Sequence, residues 1–207
     1  DGVVCDDCGE TITAQTVIPA TGHSYSGGKC TVCGAADPNY DTVTQPTLTL
    51  KYPSLSFEAE ILYNVYYIAE NTEDVVEMGL LTFDTEVAEG TVDNATDMIP
   101  GFETDGSMWK VATNGISAKN LGDTLYFRVY AQLTDGSYVY SVMKSYSAIN
   151  YANTILNRAS SSDYMKSLVV AMLNYGTEAQ LYFDHNTDSL MNAGLTAEQQ
   201  ALVSAYD

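Results

Sequence analysis

Four cysteines occur in the chain, and all of them fall in "CDDCGETITAQTVIPATGHSYSGGKCTVCG", residues 5–34. Cys5 and Cys8 form one C-x-x-C followed by Gly9, and Cys30 and Cys33 form a second followed by Gly34. Two thiolates three residues apart can grip one tetrahedral ion from a tight turn. A glycine directly after the second sulfur lets the backbone adopt φ > 0, so that amides turn toward the sulfurs. Two such knuckles would close an all-thiolate shell around a structural zinc, with Cys5, Cys8, Cys30 and Cys33 as ligands and no position left for water. Metal binding would then supply most of the folding energy of so short a segment. Disulfide pairing is the alternative, since four cysteines allow three connectivities. His23 lies between the pairs, either as a replacement ligand or as a residue packed beside the site.

The rest of the chain limits what such a clasp can accompany. With 27 acidic and 8 basic side chains the formal net charge is -19, which argues against nucleic acid and anionic membrane surfaces as partners. Hydrophobic residues make up 45% of the sequence, enough for a packed core rather than a disordered chain. No apolar run approaches the ~20 residues that a membrane-spanning helix needs, so no membrane insertion is expected. The chain opens on Asp1, close before a cysteine pair, and reads as a segment of something longer.

Pro38, Pro46 and Pro53, interspersed with Asn, Asp and Thr, suggest a linker and a boundary near residue 41. From there to about residue 147 the period is two. In "LSFEAEILYNVYYIA" Leu55, Phe57, Ala59, Ile61, Tyr63, Val65 and Tyr67 share one face of one long strand, or of two joined by a bend. Further strands are expected in "VVEMGLLTF" and "SMWKVAT". "DTLYFRVYAQL" and "SYVYSVM" read as a hairpin about the two-residue turn Asp135-Gly136. That register pairs Leu133 with Tyr138 and Ala131 with Tyr140 on the buried face. It turns Tyr126, Arg128 and Tyr130 outward, where, with Trp109, they form a candidate ligand-binding row for a sugar. Strands separated by turns indicate an immunoglobulin- or fibronectin-like antiparallel β-sandwich.

After residue 148 the period becomes helical. A short helix is expected around Ala152, Ile155 and Leu156. A longer one, capped by Ser162, carries the stripe Leu168, Val169, Met172, Leu173, Gly176, Ala179, Gln180 and Phe183 against the sandwich. Thr196 and Gln199 form a capping box for a last helix. The resulting division is a zinc ribbon over 1–40, a sandwich over 41–148 and a helical extension over 149–207. In "DHNTDS" the residues Asp184, Asn186 and Asp188 are spaced like the start of a calcium loop. Ser189 and Leu195 stand where such a loop needs Gly and a bidentate Glu, so the stretch reads as an ordinary helix-ending loop.

"VIPATGHSYSGGKCTVCGAADPNY" resembles a segment of secreted, multidomain surface proteins of anaerobic gut Gram-positive bacteria, in which C-x-x-C-G knuckles alternate with "IPATGH" linkers. "NGISAKNLGDTLYFRVYAQLTDGSYVYS" and "LVVAMLNYGTEAQLYFDHNTDSLMNAGLTAEQQALV" are similar to the module that follows such ribbons. The resemblance implies an extracellular or cell-surface location and neighbouring domains of the same polypeptide as partners, with a glycan or a host or bacterial surface protein as further candidates. Catalysis is not expected. His23 and His185 are far apart in sequence, no phosphate loop is present, and Glu58 and Glu60 read as a surface pair without an environment that would raise either pKa. The expected function is a structural, adaptor or spacer module. Carbohydrate binding is the alternative.

Overall fold

Alternation of apolar and polar side chains, broken by Asn-, Asp- and Gly-bearing turns, dictates most of what the chain folds into. The computed structural model describes residues 3–13, 22–26, 29–36, 44–57, 60–101 and 103–203. Two compact units are present, Asp1–Thr42 and Val43–Asp207. The expected boundary near residue 41, and with it Pro38, lies outside the described residues, as do Glu58 and Ala59.

In the first unit, β1 (Val3–Val4) pairs antiparallel with β2 (Thr11–Thr13), and β3 (Tyr25–Ser26) pairs antiparallel with β4 (Lys29–Cys30). One C-x-x-C turn lies between β1 and β2, and the other begins at the end of β4.

The second unit is mainly β. It contains two antiparallel sheets followed by helices. The long apolar alternation resolves into two strands, β5 (Thr47–Phe57) and β6 (Ile61–Glu70), paired from Thr47↔Glu70 to Phe57↔Ile61. Next come β7 (Val75–Phe83), β8 (Asp97–Pro100), β9 (Glu103–Asp105) and β10 (Met108–Ala112). After a 3-10 turn over Ala118–Asn120 follow β11 (Leu125–Leu133), β12 (Tyr138–Tyr140) and β13 (Lys144–Tyr146). One sheet has the order β5-β6-β10-β9. The other has the order β12-β11-β7-β8, with β13 also paired to β11.

The two sheets bury a common core. Leu48, Leu50, Val65, Tyr67 and Val111 come from the first sheet, and Met78, Leu80, Phe127, Val129 and Ala131 from the second. Each set is spaced by two along its strands, as one-face burial requires. Burying each Leu, Val, Met or Phe side chain of this set contributes about 1.5–3 kcal/mol.

The hairpin register differs from expectation by one residue. Tyr130 pairs with Tyr140, Ala131 with Val139 and Gln132 with Tyr138. The loop has three residues. Leu133 N donates to Ser137 O and Gly136 N to Leu133 O, both at 2.9 Å, and Gly136 has φ 83°. A turn closed by a left-handed glycine is the three-residue hairpin form. Thr134 N meanwhile donates to Asp74 O at 2.9 Å. One step of register moves every side chain of the second strand to the opposite face. Val139 therefore packs on the inter-sheet core, while Tyr138 and Tyr140 lie on the face of Tyr130.

That face is not wet, which corrects the expectation for Tyr130. Leu81, Phe83 and Tyr130 form a second apolar cluster, covered by Val87, Val92 and Ala95 from the β7–β8 connection and by Tyr126, Tyr138, Tyr140 and Met143. Tyr130 is 0% exposed. Its ring requires the bare Cα of Gly79. A Cβ there would lie 2.7 Å from the ring and 2.3 Å from Ile99 O.

The helices α1 (Ala148–Asn157) and α2 (Asp163–Tyr182) start at serine caps. Ser147 Oγ accepts from Asn150 N and Ser162 Oγ from Met165 N, each at 3.3 Å. Ala148, Ala152 and Ile155 of α1 and Val169, Met172 and Leu173 of α2 pack with Leu55 and Tyr63 of the first sheet. Phe183, expected on the buried stripe, caps α2 and is 59% exposed, because the stripe ends where the helix does. The last helix is the short α3 (Ala197–Gln200), with the Thr196/Gln199 capping box formed.

Candidate metal centre

The two C-x-x-C-G turns are built alike. Cys5 N donates to Glu10 O and Gly9 N to Cys5 O, each at 2.8 Å. Cys30 N donates to Ala35 O at 2.7 Å and Gly34 N to Cys30 O at 2.9 Å. Gly9 has φ 73° and Gly34 φ 74°, a conformation that a side chain would strain. The glycine after each second cysteine is therefore what closes the turn, as its position in the sequence suggested.

The backbone brings His23 to the second turn. In the β3–β4 pair Tyr25 faces Cys30, and the pairing continues as Thr31 N donates to Ser24 O at 2.9 Å. The next residue back along the strand is His23, which is thereby led past the residues that follow Cys30. His23 Nδ1 and Cys33 Sγ lie 3.3 Å apart. The ligand atoms of His23, Cys30 and Cys33 all lie within 4.8 Å of one another. A tetrahedral zinc with Zn–N of 2.0–2.1 Å and Zn–S of 2.3 Å has N···S edges of about 3.6 Å and S···S edges of about 3.8 Å. Two thiolates and an imidazole also suit zinc and the neighbouring transition metals chemically. The His23–Cys33 distance is near one such edge, and the three donors lie close enough together to hold one ion.

Electrostatics favour the thiolate. Backbone amides of Cys33 and then Val32 point at the Cys30 sulfur, His23 lies beside it, and burial opposes them only weakly. Together they bring the Cys30 thiol from 9.0 to about 6. The Cys5 thiol is also held below its ordinary value, first by the Cys8 side chain and then by the amides of Cys8 and Asp7.

All four cysteines are free thiols. Cys5 and Cys8 are not in the group that meets at His23 among the described residues. The sequence offered His23 only as a possible replacement ligand, since cysteine spacing does not show strand pairing.

The residues expected to bind a ligand are dispersed. Trp109 sits on β10 and packs on the inter-sheet core from the other sheet. Tyr130 is buried, and Arg128 is engaged as a clamp. Its Nη1 donates to Gly90 O at 2.7 Å and its Nε to Ser141 O at 2.9 Å, with the guanidinium 4.8 Å from the Tyr140 ring centre. Tyr126, of these four, lines a cleft of about 890 Å³ where the segments after β7 and β10 meet the start of β11. Asp84, Glu86, Asp97, Asn114 and Asp123 also line this cleft.

In the loop after α2, Asp184 and Asn186 adopt φ of 51° and 49°. Asn186 Nδ2 donates to Asp123 Oδ1 at 2.7 Å, and His185 Nε2 lies 3.0 Å from Asp123 Oδ2. These are contacts of a helix-ending loop, and Asp184 and Asp188 join no metal-sized cluster among the described residues. No described helix is long and apolar enough to cross a membrane. No family model, curated protein or solved structure matches the chain.

Proposed function

We propose that this chain is a non-catalytic extracellular module of a larger bacterial surface protein, acting as a spacer or adaptor between neighbouring domains of the same polypeptide. A zinc-clasped ribbon forms its first unit and an immunoglobulin-like β-sandwich with docked helices forms its second. The observation that carries this reading is the convergence of His23, Cys30 and Cys33 on a knuckle closed by Gly34, an arrangement able to hold a metal that ties the ribbon together. Two antiparallel sheets around one core support the sandwich. The resemblance of residues 5–40 to knuckle-bearing ribbons of secreted gut bacterial proteins supports the location.

Metal analysis of the purified chain tests the clasp. One zinc per chain is expected. A metal-free chain with its thiols in disulfides would refute it.

A second reading is carbohydrate binding, favoured by the cleft beside Tyr126. Hydroxyls, amides and carboxylates next to one aromatic ring can hydrogen-bond and stack on a sugar. A glycan array separates the two readings. Binding that weakens with Tyr126→Ala would establish the second, and silence across starch, mucin and cell-wall glycans favours the first.

A further inference from the structure

We propose that the metal is held by the second half of the ribbon alone, through His23 Nδ1, Cys30 Sγ and Cys33 Sγ, and that Cys5 and Cys8 are a separate dithiol pair rather than its ligands. This rests on the metal-binding reading above and specifies its ligand set. It departs from the four-cysteine shell that the C-x-x-C spacing suggests.

Proximity is the first argument. Of the His, Cys, Asp and Glu side chains in the described residues, these three alone form a cluster of metal-binding size, and His23 Nδ1 to Cys33 Sγ at 3.3 Å is close to a tetrahedral edge.

Locality is the second. The three ligands span only residues 23–33, and the β3–β4 pairing with the Thr31–Ser24 hydrogen bond already sets their backbone. Closing so short a loop costs little chain entropy. A shell that also took Cys5 and Cys8 would have to close across residues 9–29.

Charge is the third. Four thiolates on a divalent ion leave two net negative charges beside Asp6 and Asp7, in a chain already at -19. An imidazole and two thiolates leave none. A tetrahedral ion held this way keeps one position for solvent or a small donor, the mark of an open site.

Cobalt(II) as a spectroscopic stand-in for zinc tests the assignment in the full chain, with native mass spectrometry for stoichiometry. The thiolate-to-cobalt charge-transfer band grows with the number of bound sulfurs. The double variant Cys5→Ser/Cys8→Ser is expected to bind one ion with an unchanged band. His23→Ala is expected to weaken binding at least about tenfold, since even residues that only orient a ligand typically cost that much. Loss of binding in His23→Ala could reflect a ribbon that no longer folds, so His23→Cys gives the positive control. It should still bind and should raise the band by about half, two thiolates becoming three.

If the double serine variant loses the ion or about half of the band, or His23→Cys leaves the band unchanged, the assignment is wrong while the metal reading stands. A wild-type chain that takes up no metal overturns both.

Discussion

The hydroxyl of Tyr130 donates to Glu77 Oε1 at 2.7 Å across two neighbouring strands of one sheet. Gln132, two residues along from Tyr130, is the strand partner of Glu77, so both side chains of the bond lie on the same face. Tyr130→Phe keeps the ring and its packing and removes the donor. The expected loss is about 1–2 kcal/mol, read from urea unfolding, because Glu77 loses a partner in a partly buried place. A double-mutant cycle with Glu77→Gln isolates the coupling. A Tyr130→Phe variant as stable as the parent would show that the bond contributes nothing net.

Gly79 has room for no side chain at all. Gly79→Ala drives a Cβ against Ile99 O and the Tyr130 ring, and the first of these is backbone that cannot swing aside. The expected cost is about 3 kcal/mol, at the upper end of overpacking effects, with β8 the element displaced. Hydrogen exchange should locate the loss in the Gly79–Pro100 and Leu80–Ile99 pairs. Unchanged protection there would contradict the account.

Tyr63, Tyr67 and Tyr130 all have pKa values raised above the ordinary 10.0, in each case first by burial. The fold thus favours the protonated phenol. That contribution is complete below about pH 10, the unfolded value, and is lost as pH rises, since the unfolded chain releases these protons first. Absorbance near 295 nm should show these three ionising only together with unfolding. Smooth titration of every tyrosine in an intact fold would refute their burial.

Chelation should be felt locally. With the metal removed, the amides of Cys30, Thr31 and Gly34 are expected to lose protection and chemical-shift dispersion, because the ion is what ties the three side chains of so short a segment together. Zinc should restore them, and indifference of these amides to both treatments would show that the ribbon forms without metal.

Much of this architecture is legible in the sequence wherever one local rule suffices. The C-x-x-C-G turns, the Ser162 cap and the Thr196/Gln199 box are each decided by a few adjacent residues, and each forms as read. The apolar runs of β7 and β10 are likewise plain. What escaped needed information from elsewhere in the chain. Asp135-Gly136 suits both two- and three-residue loops, and the choice between them accompanies a bond from Thr134 N to Asp74 O, far away in sequence. Tyr126, Arg128 and Tyr130 alternate as an outward face should, yet the β7–β8 connection folds over that face and leaves only Tyr126 beside a cleft. The strands β8 and β9 are only four and three residues long, too short for a period of their own, and each pairs with a longer neighbour. His23 joins the thiols through strand pairing, where cysteine spacing alone could not find it.

A sheet covered on both sides has nothing flat to offer the outside. Because β12-β11-β7-β8 is roofed by its own connection on one side and by its companion sheet on the other, a visitor to the strand body must approach elsewhere. On the other sheet, the outward side chains of β5 and β6 are partly open to water. There the rings of Tyr52 and Tyr66 stack with centres 4.9 Å apart, and Tyr52 remains 48% open to water.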